Sequence, residues 1–396
     1  MILEHGEVVA AACENNEHQT CNTTKTMTLA QAIRCVKCKK AYSPQSVIFE
    51  CDACKGPLDI VYDYVKIRRK IVTDDFKRSS VSHWKYWPFY PVADLPSIVT
   101  LHEGGTPLLP SKSVRGFFFK NEGVNPTGSF KDRGSTVEVT KAKELGVTKV
   151  ACASTGNMGA SVAAYCALAG IKSTIFLPTF ASKTKKQQIS AFDSQIIPVK
   201  GTYEDAVAKT KKLREQRHVY LMGDYAYRGE GEKSVGFEII DQLNWAIPDY
   251  IVMPVGNATL FSAVYKALYE LHEVSLIKKI PRLVGVEAKG CNPLVIAYHE
   301  GATDIKPVKH PKTIASAIDC GNPVDAVKAL HALRHSHGIM CDVADKEMLA
   351  ARKELTKEGL WVEPSAAASV AGAKKLELSG TVVCVLTGHG LKDPLV

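Results

Sequence analysis

The sequence predicts an α/β protein with two parallel-sheet domains behind a small cysteine-rich module. Three observations predict it. From Phe117 onward, strand-like runs alternate with amphipathic helical ones, the order that gives parallel sheets covered by helices. Glycine-bearing turns follow several of those strands, where open parallel sheets bind their ligands. Two Cys-x-x-Cys pairs, Cys35/Cys38 and Cys51/Cys54, stand ahead of the α/β region.

At 396 residues the chain exceeds one ordinary domain, taking about 150 residues per domain. Its 45% apolar and 23% charged content is that of a soluble globular protein, so a core of ordinary size is expected. No apolar run approaches the ~18 residues that span a bilayer. The N-terminus lacks the basic start and apolar stretch of a secretory signal. A cytoplasmic protein is expected, with no membrane partner. The formal net charge is +9, but Lys and Arg are dispersed among acids, so nucleic acid is not the expected partner. A modest excess of cations suits anionic small substrates and a phosphorylated cofactor.

Residues 1–32 have no strong period and read as a poorly ordered extension. Residues 33–64 read as a zinc ribbon, with two knuckles whose thiolates, Cys35, Cys38, Cys51 and Cys54, surround one structural ion. Redox use of one pair lacks the β-α-β surroundings it would need. The other eight cysteines are scattered, mostly through apolar runs, as in a reducing compartment. Residues 65–130 hold a linker and the start of the large domain. The aromatic run Trp84, Tyr86, Trp87, Phe89 and Tyr90 reads as packing. Strands are expected at 117–120, 150–154, 173–177, 195–199, 219–222, 250–255, 283–287 and 382–387.

Four loops carry unusual residues. The run Asn125-Pro126-Thr127-Gly128-Ser129-Phe130-Lys131-Asp132-Arg133-Gly134 opens a helix, with Ser129 as its expected N-cap and Lys131 in its first turn. The helix dipole there disfavours a charged amine and should lower its pKa, which suits a nucleophile. From position alone, a surface lysine beside a loop is the simpler reading. A second loop, Ser154-Thr155-Gly156-Asn157, offers backbone N–H groups at a helix start, which suit a carboxylate. A third, Val255-Gly256-Asn257-Ala258-Thr259, suits a phosphate, although a plain strand-to-helix turn looks the same. The fourth is Leu386-Thr387-Gly388-His389-Gly390 near the C-terminus, where His389 reads as a base or as a helix-start residue.

Together these segments resemble the threonine synthase group of the fold-type II pyridoxal-phosphate enzymes. The resemblance runs from the ribbon to the C-terminus. It implies a small mobile domain at 131–240 that closes on substrate, and a large domain at 241–396. It implies that Lys131 carries the cofactor and acts as base. Asn157 would meet the ring hydroxyl, Val255 to Thr259 the cofactor phosphate, and Thr387 the pyridine nitrogen. Ser154, Thr155 and Asn157 would hold the substrate carboxylate, and Arg228 its phosphate. The implied reaction turns O-phospho-L-homoserine and water into L-threonine and phosphate. The chain departs from the group at Met158, Met222, Gly223 and Leu260, where polar residues usually face the substrate phosphate. Lys183, Lys185 or Lys186 would then compensate, or the substrate differs. Another elimination or replacement enzyme of this fold, a threonine or serine ammonia-lyase or a phosphoserine-dependent synthase, is the alternative. A silent homologue whose ribbon binds a partner would not need Lys131, Asn157 and Thr387 together. A homodimer is common in the group, and nothing in the sequence proves one.

Overall fold

The computed structural model describes residues 28–71, 82–93, 95–217 and 219–394. The expected extension lies outside them up to residue 27. The ribbon begins before residue 33. Its β1 (Ala30–Cys35) pairs antiparallel with both β2 (Ala41–Tyr42) and β3 (Leu58–Tyr62). A register shift between Ala30 and Ala32 breaks the strand's alternation, which hides its first residues from a period-2 reading. After the helix Tyr64–Lys70, the aromatic run forms a 3-10 helix, His83–Phe89. Tyr86, Phe89 and Tyr90 are fully buried there, and Phe89 lies 4.8 Å from Phe237 between ring centroids. They are packing residues.

The remaining strands are β4 (Leu108–Pro110), β5 (Phe117–Asn121), β6 (Lys149–Ala153), β7 (Lys172–Pro178), β8 (Gln195–Val199), β9 (Tyr220–Met222), β10 (Tyr250–Pro254), β11 (Arg282–Ala288), β12 (Ile339–Val343) and β13 (Val382–Leu386). They make a six-stranded sheet, β12-β11-β10-β13-β5-β4, and a four-stranded sheet, β8-β7-β6-β9. Every pair is parallel except β4 with β5. Two strands were not expected. β4 is three residues long and ends in Pro110, which only an edge strand tolerates. β12 carries Asp342 within its apolar run, which obscures it.

The helix Ser234–Gln242 departs from the expected 131–240 domain. Its Val235, Phe237, Ile239 and Ile240 are buried in the core shared by the ribbon and the six-stranded sheet. An apolar face this complete follows the larger core, so the strands of the smaller unit span only β6 to β9. Among the described residues no helix is long and apolar enough to cross a membrane.

This topology gathers the four loops. β5, β13 and β10 are neighbours in the large sheet, and β6 is central in the small one. The carboxyl ends of β5, β6, β10 and β13 lead into the Lys131, Ser154, Gly256 and Thr387 loops respectively.

Candidate active site

Lys131 opens the helix Lys131–Glu144. Ser129 is not its N-cap. Phe130 takes that place without a side-chain cap, because Ser129 bridges to Gly388 and the Phe130 amide donates to Thr387 O at 3.1 Å. The loop is held instead by Asp132, whose carboxylate accepts from Thr127 N at 2.7 Å and from Thr127 Oγ1 at 2.5 Å. Arg133 anchors the helix from below. Fully buried, it donates to Glu122 and Glu238 from both sides of its guanidinium, at 2.6 to 2.9 Å.

The helix Ala226–Glu232 packs directly on the Lys131 helix. Gly134 and Gly231 permit it: a Cβ on Gly134 would meet Arg228 Cγ at 2.7 Å, and one on Gly231 would fall on the Arg133 carbonyl. That approach brings two acids to Lys131. Its Nζ donates to Asp224 Oδ1 at 3.2 Å and to Glu232 Oε1 at 3.0 Å. Burial works to lower the lysine's pKa, but Asp224 and Glu232 outweigh it, and the amine is held above its ordinary value. The expected lowering by the helix dipole is thus overturned, because two carboxylates at contact distance exceed a partial charge.

The other loops converge on the same place. Asp224 Oδ2 accepts from Asn257 Nδ2 at 2.6 Å, which ties the Gly256 loop to Lys131. Asn157 donates to Glu363 Oε1 at 2.8 Å, and the Glu363 amide donates to Gly388 O at 3.0 Å. A cavity of about 370 Å³ reaches Asp224 past Ala153, Tyr203, Met222 and Gly223. A larger hollow of about 1050 Å³, at the amino ends of β6, β7 and β8 beside Lys149, Lys172 and Gln195, holds none of these residues.

Several expected roles change. Arg228 is fully buried, with donors engaged by Glu138 Oε2 at 2.6 Å, Ser135 Oγ, Gly223 O and Lys131 O. Its charge is neutralised by Glu138 and it braces the two helices. Ser154 Oγ accepts the Gly156 and Gly159 amides at 2.9 and 2.8 Å, so Ser154 shapes its loop. The Val255 amide already donates to Val286 O at 2.8 Å and is not free for a phosphate. His389 caps a 3-10 helix, its Nδ1 accepting from Leu391 N. Of the three lysines on the 183–186 turn, Lys185 alone is buried. It lies over Gly156, and its Nζ donates to Ser316 Oγ at 2.9 Å, 3.6 Å from Glu363 Oε2. Met158, Met222 and Leu260 are buried and apolar, as read.

Asp224, Glu232 and Glu138 were missed as site residues. The i, i+4 spacing of Asp224, Arg228 and Glu232 is a signal that could have found the first two, since it sets them along one side of a helix and its entry turn.

The residues fit a bound pyridoxal phosphate. Ser129 Oγ and Asn157 Oδ1 are buried with no hydrogen-bond partner among the described residues. Native interiors rarely leave such atoms unsatisfied. The helix Thr259–Glu273 has no side-chain cap and is entered through Ala258 at φ +66°, so the amides of its first turn open toward an anion. The chain matches the pyridoxal-phosphate dependent enzyme family over residues 99–388. The chain belongs to that family. Among curated relatives in it, threonine synthase of Methanocaldococcus jannaschii is 44% identical over 91% of this chain and 93% of its own. That of Methanosarcina acetivorans is 45% identical over 91% and 92%. The fold is shared with solved structures such as a fungal L-serine ammonia-lyase from Rhizomucor miehei, at TM-score 0.64, 24% identity, and coverage of 72% of this chain and 93% of that one.

At the ribbon, the four sulfur atoms of Cys35, Cys38, Cys51 and Cys54 lie within 4.8 Å of one another. Cys35 and Cys54 approach to 3.4 Å and Cys38 and Cys51 to 3.5 Å. Four thiolates around one tetrahedral zinc sit about 3.8 Å apart, so the donor set fits that ion.

Proposed function

We propose that this pyridoxal-phosphate-dependent lyase is a threonine synthase, converting O-phospho-L-homoserine and water to L-threonine and phosphate. The observation that carries the reading is Lys131 at the meeting of four strand ends, in a chain 44–45% identical to two threonine synthases over nine-tenths of its length. Lys131, Asn157, Thr387 and the amides of Gly256 to Thr259 would hold the cofactor. Bound there, pyridoxal phosphate supplies the electron sink that makes the hydrogens on Cα and Cβ acidic. Thr387 offers a neutral hydroxyl, not a carboxylate, which favours elimination and replacement over transamination. Lys131 moves protons at Cα and Cβ. The Thr155 and Asn157 amides take the substrate carboxylate. Lys185 would serve the substrate's phosphate only by giving up its contacts with Ser316, Glu363 and Asp393. Closure of the smaller domain keeps water out until it is needed. The ribbon would carry one structural zinc, held by all four thiolates with no open position.

One observation favours a second reading. With Arg228 held by Glu138, Met222 on the cavity wall, and Met158 and Leu260 buried and apolar, a distal phosphate meets few donors. A substrate without phosphate, as in a threonine or serine ammonia-lyase, needs none. Purified holoenzyme incubated separately with O-phosphohomoserine, O-phosphoserine, threonine and serine separates the two. Threonine plus phosphate from the first supports the synthase. Ammonia from threonine or serine, with O-phosphohomoserine untouched, overturns it.

A further inference from the structure

We infer that the ribbon is a strap tying the smaller domain to the larger one, with Phe49 as the positioning residue that holds the two walls of the substrate cavity at a fixed separation. The proposal rests on the reading above in that the smaller domain moves and its cavity takes the substrate.

The ribbon belongs to both cores. Ile33, Cys35, Cys51, Leu58, Ile60 and Tyr62 are buried in the core shared with the six-stranded sheet. Phe49, two residues before Cys51, is buried in the other core, with Val150, Tyr220, Leu221 and Met222 of the four-stranded sheet. Its ring meets Tyr220 and Tyr225 edge-on, with centroids 5.1 Å apart in both pairs. The Arg214 guanidinium lies 4.5 Å from its centre. β9, which carries Tyr220, is an edge strand of the small sheet, so the ring clasps that edge. Polar contacts repeat the division. Glu50 accepts from Lys211, on the helix Tyr203–Arg217 of the smaller domain, at 2.8 Å. Lys37 donates to Asp304 of the larger domain at 2.6 Å. Exposed ion pairs such as these add little, and the buried ring is the stronger tie.

The clasp sits on the cavity that reaches Asp224. Phe49 and Pro57 line it from the ribbon, Tyr203 and Met222 from the smaller domain, and Asn322 and Pro323 from the larger. A cavity with walls in two bodies changes width when one of them moves. Four thiolates closed around one zinc hold the turn that carries Phe49, and the ring holds the edge of the small sheet. Drawing the ring out would expose its apolar surface to water, so the smaller domain pivots about it. Beyond β7 the joint is polar. Ser182 and Thr184, at the start of the helix Lys183–Ala191, donate to Lys392 O at 3.0 and 2.9 Å. Water replaces such bonds at small net cost, so the domain opens there and the ribbon side stays shut.

The test compares wild-type holoenzyme with Phe49→Ala and Phe49→Leu, each as purified and after zinc removal by a chelator. Zinc content, kcat and KM on O-phosphohomoserine are measured, with iodide quenching of the bound cofactor's fluorescence in the absence of substrate. Phe49→Ala should keep zinc and cofactor, raise KM about 10-fold with kcat within about threefold, and increase quenching, because the binding-competent arrangement is populated less. Phe49→Leu, which keeps an apolar knob, should recover most of both. Zinc removal should do the same to wild type, and should change KM by less than about twofold in Phe49→Ala, since the two act through one contact. Unchanged KM and quenching in Phe49→Ala overturn the proposal. So does a loss in kcat alone, which marks a general packing defect, and so does a zinc effect on KM as large in Phe49→Ala as in wild type. If Phe49→Ala fails to fold, Phe49→Leu takes its place in the comparison with zinc removal, and wild type whose KM and quenching ignore zinc removal overturns the proposal. Should wild type make no threonine while quenching still rises in Phe49→Ala and on zinc removal, the synthase reading falls and the strap stands.

Discussion

Replacing Arg133 by Met removes the cation that fixes the Lys131 helix to the large domain. Arg133 donates to Glu122 at 2.6 and 2.8 Å and to Glu238 at 2.9 and 2.7 Å, and all three side chains are buried. After the change, Glu122 and Glu238 share only Lys120, which lies 2.7 Å from Glu238. One buried negative charge, at Glu122, is left without a cation in contact and keeps only the donors Thr106 Oγ1 and Asn125 Nδ2. Breaking a buried pair from one side costs about 3–5 kcal/mol. Urea unfolding at pH 7, followed by tryptophan fluorescence, should show that loss at an unchanged denaturant slope. The double variant Arg133→Met, Glu122→Gln leaves Glu238 paired with Lys120 and should recover most of it. A loss under about 1 kcal/mol in the single variant would refute the reasoning. So would a double variant no more stable than the single one, because the cost would then come from lost packing and not from stranded charge.

Other outcomes follow from the same contacts. Lys131→Ala should abolish turnover and the absorbance of lysine-bound cofactor while leaving the circular dichroism spectrum unchanged. Metal analysis should find about one zinc per chain, and Cys51→Ser should lose it and lower the thermal midpoint. Glu103 is buried among Tyr165, Trp84 and His83. Burial works to raise its carboxyl, and the bonds from His83 and Tyr165 outweigh that and hold it at about 2. A depressed carboxyl contributes stability that is complete above its unfolded value, ~4.3, and is lost as pH falls toward the folded one. Urea titrations should therefore show Glu103→Gln less stable than wild type by roughly 3 kcal/mol at pH 7, with the gap closing toward pH 2.

The sequence makes legible what local backbone chemistry encodes. Gly128, Gly156 and Gly256 mark loops after strands, and those loops do converge, with Lys131 where the first one becomes a helix. The Cys-x-x-Cys pairs are legible for the same reason, since close spacing on short hairpins brings the sulfurs together. Long-range pairing is not legible. Glu138 neutralises Arg228 across 90 residues, and Glu232 reaches Lys131 across 101. Neither distance leaves a local trace. Ser129 has the right residue type for a cap, but its backbone is claimed by Gly388 in a tertiary bridge. The raised pKa of Lys131 follows likewise from partners that only the close packing at Gly134 and Gly231 brings near.

The central claim is that Lys131 catalyses formation of threonine from O-phosphohomoserine. Its most direct test is to measure threonine and phosphate together from wild-type holoenzyme and from Lys131→Ala. Equal amounts of the two products from wild type, and none from the variant, are predicted. Phosphate without threonine, no product from wild type, or threonine from the variant would contradict it.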